Sequence, residues 1–178
     1  MAGIDIKPLE DTPAVRAMLA AMLIEVVADG ASVHFLHPLE AHDAADFWNS
    51  ALAAAGRGER IILGAWDGAQ LVGTVTLQLH CPPNQPHRGE IAKMMTRLSH
   101  RRRGIATALM LAAEALAARH RRSLLVLDTA RDEGASRFYE KHGYTLAGEI
   151  PDYALRPHGA LTATMIYWKR ITPENRPE

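Results

Sequence analysis

The most constraining stretch of the chain is EIAKMMTRLSHRRRGIATALMLAAEALAARH, residues 90–120. It reads as an extended run, a basic elbow with one glycine, and a long helix. The elbow, HRRRGIA at 100–106, sets four potentially cationic side chains and a glycine directly before the helix. A helix N-terminus carries unpaired backbone N–H groups and the positive end of the dipole, so the elbow reads as a cradle for an anion. The run SLLVLDTA at 123–130 then has the leucines and valine of a buried strand. Strand, helix and strand predict a right-handed crossover with the two strands parallel. The elbow falls at the carboxyl end of the first strand, where such sheets bind ligands.

With 178 residues, 48% of them hydrophobic, the chain is long enough for one well-packed domain, expected to span 1–178 with 172–178 as a flexible tail. Twenty basic and twenty acidic side chains cancel, so no overall field draws the protein toward nucleic acid or a membrane. No aromatic residues interleave with the arginines of RRR or RHRR, which counts further against nucleic acid. The single cysteine, Cys81, excludes an intramolecular disulfide and fits a reducing compartment. No basic leader or long apolar run is present, so a cytoplasmic protein without a membrane partner is expected.

Around the elbow the order of elements is legible. Residues 4–8 read as a short strand. Thr12 and Pro13 then start a helix whose Val15, Met18, Leu19, Met22, Leu23 and Val26 form one apolar stripe, closed by Gly30. A loop with His34, Phe35 and His37, either a substrate wall or a packed connection, leads to a second helix over 38–55. Asp67-Gly68 marks a hairpin turn between two β-rich runs, and CPPNQPHRG at 81–89 reads as a loop leading to a strand that begins near Glu90. A helix is expected over 133–142, then strands at 144–150 and 161–171 around a Pro157-His158-Gly159 turn. The basic run at 119–122 reads as a solvated helix end.

The elbow lacks the G-x-G-x-x-G and P-loop fingerprints. Its pattern, Arg101-x-x-Gly104-x-Ala106 between a strand and a helix, resembles the acetyl-coenzyme A site of the GNAT family of N-acetyltransferases, and FYEKHGY at 138–144 resembles that family's second marker. The resemblance implies an α/β fold with a mixed, mostly antiparallel central sheet, a parallel central strand pair and helices on both faces. It implies acetyl-CoA as co-substrate and no metal. By the same resemblance, backbone groups of Met94, Met95 and Thr96 pair with the pantetheine arm, and Arg101, Arg102, Arg103, Gly104, Ile105, Ala106 and Thr107 wrap the pyrophosphate. Asp132 and Ser136 fall on the cofactor side, Asp132 where the family often has asparagine. The sequence departs from the pattern at Leu98, where proline is usual.

Acetyl transfer to an amine needs a neutral nucleophile. Glu90 and Asp128 flank the place where the parallel strands would hold the thioester and are the candidate bases. Either could instead be a purely local group, Glu90 a strand-end carboxylate and Asp128 a partner of loop amides. Tyr139 matches the tyrosine that the family sets beside the coenzyme sulfur. GASVHF, EIAKMM, LLVLDT and PDYALRPHGALTATMIYWK resemble the tabtoxin-resistance type within the family. That likeness implies a small-molecule amine as acceptor, such as tabtoxinine-β-lactam, with Phe35 and Tyr153 lining its pocket or packing the loops. Competing expectations are a peptide or protein N-acetyltransferase and a non-catalytic acetyl-CoA sensor. His34 and His37 have no third metal ligand in sequence and read as packed or solvated. A monomer and a homodimer, the latter paired through the final strands, fit equally.

Overall fold

The computed structural model describes residues 3–131 and 133–174. A short strand β1 (Asp5–Pro8) precedes helices α1 (Pro13–Ala28) and α2 (Ala41–Gly56). The hairpin β2 (Arg60–Asp67) and β3 (Gln70–Gln78) follows, then β4 (Arg88–Thr96), a 3-10 turn at Leu98–His100 and α3 (Ile105–Arg119). The chain ends with β5 (Leu124–Ala130), α4 (Glu133–Lys141), β6 (Thr145–Leu155) and β7 (Leu161–Arg170). The strands form one sheet in the order β1-β2-β3-β4-β5-β7-β6, antiparallel throughout except for the parallel pair β4–β5.

That parallel pair is short, and its shortness shapes the molecule. The two strands are in register only from Arg88 opposite Leu124 to Glu90 opposite Val126. Beyond that point β4 stays with β3 while β5 stays with β7, so the sheet opens between them. A β-bulge in β4 sharpens the divergence. Thr74 faces Met95 but Thr76 faces Ala92, so one residue of β3 opposes Lys93 and Met94 together, and Lys93 takes a left-handed φ of 51°. A bulge leaves backbone groups unpaired and bends its strand. Both effects fall at the mouth of the opening.

Alternation along the strands sorts two cores. Leu63, Val72, Val75 and Leu77 pack with Ile105, Leu109, Met110 and Ala113 of α3 and with Tyr139 of α4. Their sequence neighbours Ile62 and Leu71 pack on the other face with Leu19, Met22 and Leu23 of α1 and Trp48 and Leu52 of α2. Helices therefore cover both faces. The first turn of α3 presses against the sheet at Gly73, where an added Cβ would lie 2.9 Å from Ile105 Cγ2 and 3.1 Å from the Met95 carbonyl oxygen. A bare backbone at Gly73 thus fixes how deeply the elbow sits.

Several boundaries differ from the sequence expectation. Helix α2 starts at Ala41 rather than Pro38, with Glu40 still extended while Leu39 packs into the core of α1 and α2. Strand β4 starts at Arg88, two residues early, because Arg88 and Gly89 already pair with β5. Strand β6 runs on to Leu155, absorbing Pro151 in a register shift with Asp152 at φ 52°, which an edge strand tolerates. The basic run at 119–122 is not simply a solvated end. Arg122 turns inward, donating to the carbonyls of Pro86 and, at 3.0 Å, Leu79, and so ties down the loop before β4.

Candidate active site

The elbow is built by alternating backbone hands. Arg101 is extended, Arg102 has φ 62° and Gly104 φ 79°, a region that glycine enters without steric cost. Gly104 is also the N-cap of α3 and has no side chain to cap it, so the N–H groups of Ile105, Ala106 and Thr107 lack intrahelical partners and side-chain caps. They face a groove of about 380 Å³ lined by Met94, Met95, Thr96, Arg101, Arg102 and residues 104–107, with Phe138 opposite. Of the expected cradle residues, Arg103 is exposed and does not line the groove. Arg101 is steered by Asp29, its guanidinium 2.6 Å from the carboxylate. His100, read in sequence as one more elbow cation, is largely buried where it lines the groove, with Nε2 3.6 Å from Asp67 at the end of β2.

The elbow hangs on a residue that the sequence reading passed over. Arg97, mostly buried, donates to Glu25 of α1 at 2.6 Å, to the Leu71 carbonyl at 3.0 Å and to the Met18 carbonyl at 3.3 Å. The other oxygen of Glu25 accepts the Leu98 N–H at 2.7 Å. One ion pair thereby locks the turn before the elbow to helix and sheet.

A second cavity, of about 300 Å³, occupies the opening between β4 and β5 and shares Met94 with the groove. Glu90 and Asp128 both line it. Glu90 is engaged at both oxygens, by Gln78 Nε2 and by Arg88, each at 3.3 Å. Asp128 accepts the Thr164 hydroxyl at Oδ2, 3.1 Å, and lies 4.0 Å from His34 Nε2, while no described residue donates to Oδ1. His34, whose Nδ1 faces Lys93 Nζ at 2.9 Å, also lines the cavity. Burial, with the Lys93 charge beside it, lowers the His34 pKa, so the imidazole is neutral at pH 7. Lys93 itself, placed by the bulge and lying 5.4 Å over the Phe47 ring, has its pKa lowered by burial.

Tyr139 is 9% exposed, and its ring, packed near Phe138, Tyr144 and Tyr167, closes one side of the cavity. Burial, the nearby Asp128 charge and Tyr167 push its pKa up to about 12. Its hydroxyl stays protonated across the working range. Handing that proton to a thiolate with a pKa near 8.5 would cost about 5 kcal/mol, so the chemistry open to this hydroxyl is hydrogen-bond donation rather than proton transfer. Tyr139→Phe is expected to lower kcat by about tenfold with the KM for acetyl-CoA within about twofold, measured by thiol release.

Phe35 does not reach the cavity. It packs edge-on to Phe47 at 5.2 Å, and Phe47 is the ring that lines the wall. Tyr153, exposed on β6, lines a small recess of about 30 Å³ that shares His34 and Asp128 with the main cavity. Ser136 lies on α4 outside the groove lining, and Asp132 lies outside the described residues. Among the described residues no three His, Cys, Asp or Glu side chains could together hold a metal ion, and no helix is long and apolar enough to cross a membrane.

The groove suits a pyrophosphate joined to an extended arm. Uncapped N–H groups and the small Ala106 permit close approach of the phosphates. The edge of β4 that β5 leaves free after Glu90 offers backbone pairing to an arm that runs toward the cavity. Comparisons with known proteins bear on the family and the fold. The profile of the Acetyltransferase (GNAT) family matches residues 24–144. A ribosomal-protein-alanine N-acetyltransferase from Brucella melitensis superposes with TM-score 0.80 at 16% identity, covering 94% of this chain and 99% of its own. The protein yncA from Salmonella typhimurium, solved with its cofactor acetyl-CoA, gives TM-score 0.78 at 13% identity over 99% and 98% of the chains. An aminoglycoside 6'-acetyltransferase type Ii gives 0.74 at 22% over 96% and 99%.

The chain belongs to the GNAT family of acetyltransferases. It is an enzyme of that family, an acetyl-CoA-dependent N-acetyltransferase.

The sequence reading left Lys93, Arg60 and Arg97 out of the site, and took the loop of His34 as either a substrate wall or a packed connection. For Lys93 a signal existed: a lone charge in the otherwise apolar centre of EIAKMM asks what it faces. Arg97 and Arg60 carry no local pattern, because their partners lie far off in the sequence.

Proposed function

We propose that the enzyme acetylates the amine of a small molecule held between β4 and β5, with Asp128 as the base that takes the ammonium proton. The observation that carries this reading is the cavity of about 300 Å³ that meets the cofactor groove at Met94 and presents two carboxylates. Acetyl-CoA supplies an acetyl group activated as a thioester. What the chain must supply is a neutral amine, a site that receives charge and a partner for the departing sulfur.

At pH 7 an alkylammonium with a pKa of about 10.4 is neutral in about one molecule in a few thousand, and an α-amine near 8 in about one in ten. Proton removal is therefore a large part of the task. The unengaged Oδ1 of Asp128 makes it the better-placed acceptor, while Glu90, held by Gln78 and Arg88, supplies charge that draws the ammonium in. The bulge at Lys93 and Met94 interrupts the pairing of β3 with β4, and a backbone N–H released there would serve a developing oxyanion. The Tyr139 hydroxyl faces the leaving sulfur. An amino-acid toxin of the β-lactam type, tabtoxinine-β-lactam, is the first acceptor to try, and the reducing cytoplasm is the compartment that an unpaired Cys81 suits.

Mass analysis of products from a panel of tabtoxinine-β-lactam, aminoglycosides, polyamines and peptides with free N-termini tests the acceptor class. Acetylation confined to the small molecules is the expected result. Faster acetylation of the peptides moves the acceptor outside the cavity and overturns the proposal.

A further inference from the structure

The acceptor cavity holds two cations that make no direct ion pair among the described residues. Among the described residues, Lys93 has no carboxylate within 4.0 Å; its contacts are the neutral His34 ring nitrogen and the face of Phe47. Arg60, at the start of β2, lines the same cavity, makes no side-chain hydrogen bond or ion pair among the described residues, and has its Nε buried without a partner. Burial works against the Lys93 ammonium; the Asp128 charge favours it, the Arg60 charge opposes it and the Glu90 charge favours it. Neither of the cavity's two carboxylates makes a direct ion pair with either cation: Glu90 is paired with Arg88, and Asp128, hydrogen-bonded to Thr164, acts on Lys93 only from beyond 4.0 Å. Two cations that face one half-buried space without a direct ion-pair partner gain from an anion that enters with the ligand.

We infer that the acceptor is zwitterionic, and that Lys93 and Arg60 bind its carboxylate while its amine is turned toward Asp128. This inference rests on the small-molecule reading above and narrows it to amino-acid-like amines. The carboxylate would take a hydrogen bond from Lys93 Nζ in exchange for the one given to His34, and a second from the idle Arg60 guanidinium. Binding at two points fixes which end of the molecule faces the cofactor. An amine lacking the anion leaves the cations unpaired and gains little from the site.

The test uses matched acceptors, each an α,ω-diamino acid, its carboxamide and the diamine without the carboxyl group, in the thiol-release assay. The free acids are expected to exceed their carboxamides in kcat/KM by tenfold or more, about the effect of one charge-assisted contact. Lys93→Met is expected to bring the acids down to the level of the carboxamides, and Lys93→Arg to keep most of the preference. Equal rates for acid and carboxamide overturn the inference, as does a preference that survives in the Lys93→Met, Arg60→Met double variant. Binding of butyrate, followed by the NMR signal of the Lys93 ε-carbon, separates the two readings. A shift in the wild type with no diamino compound turned over defeats the acceptor proposal alone, whereas no shift at tens of millimolar butyrate defeats the carboxylate site.

Discussion

Replacing Asp128 with asparagine is expected to lower kcat/KM for the amine by about 10²–10⁴ at pH 7, the usual worth of a general base. The shape of the site should survive, since Thr164 can still donate to the amide oxygen at the position of Oδ2. The deficit should also shrink as pH rises. Each unit toward the amine pKa raises the free-amine fraction about tenfold in solution, so the variant gains rate where the wild type has levelled off. The KM for acetyl-CoA should stay within about twofold. A deficit that is constant to high pH would mean that Asp128 holds the amine rather than taking its proton. A deficit below about threefold would remove it from the chemistry and turn attention to Glu90.

Arg97→Met is expected to be the most damaging single change outside the cavity. The methionine keeps part of the aliphatic stem but leaves the Glu25 carboxylate, the Leu71 and Met18 carbonyls and the Leu98 N–H to rearrange. Removing one member of a buried ion pair costs about 3–5 kcal/mol; with these side chains 16% and 27% exposed, a loss of about 2–3 kcal/mol is expected. For a chain of this size that lowers Tm by about 5–10 °C. The turn that it anchors leads straight into the cradle, so the KM for acetyl-CoA should rise by about tenfold even at temperatures where the variant is folded. Thermal unfolding and acetyl-CoA titration on the same preparation check both effects. A wild-type Tm would show that the network contributes nothing net.

How much of this was legible in the sequence follows from the range of the forces involved. The elbow could be read because its chemistry is local: a glycine that accepts φ 79°, a helix without a cap and the preceding arginines are contiguous. The parallel pair and the hairpin were readable for the same reason. Strand β6 runs past the expected end at residue 150, because its edge position, a property of the whole sheet, lets the strand continue through Pro151. Arg122 was read as solvated because nothing in RHRR announces the carbonyls of Pro86 and Leu79. Lys93 shows the limit most clearly. Its place in the site depends on a bulge opposite Val75 and on a loop histidine 59 residues away, and no local periodicity encodes either.

The central claim is that the elbow groove and the cavity between β4 and β5 form one path along which an acetyl group passes to an amine. It is tested most directly by following thiol release from acetyl-CoA and acetylated amine together in one reaction. The account predicts thiol release that depends on the amine, saturates with it and matches the acetylated product one for one. Tight acetyl-CoA binding with no amine-dependent release across the full panel would contradict it and leave the protein as a cofactor-binding sensor.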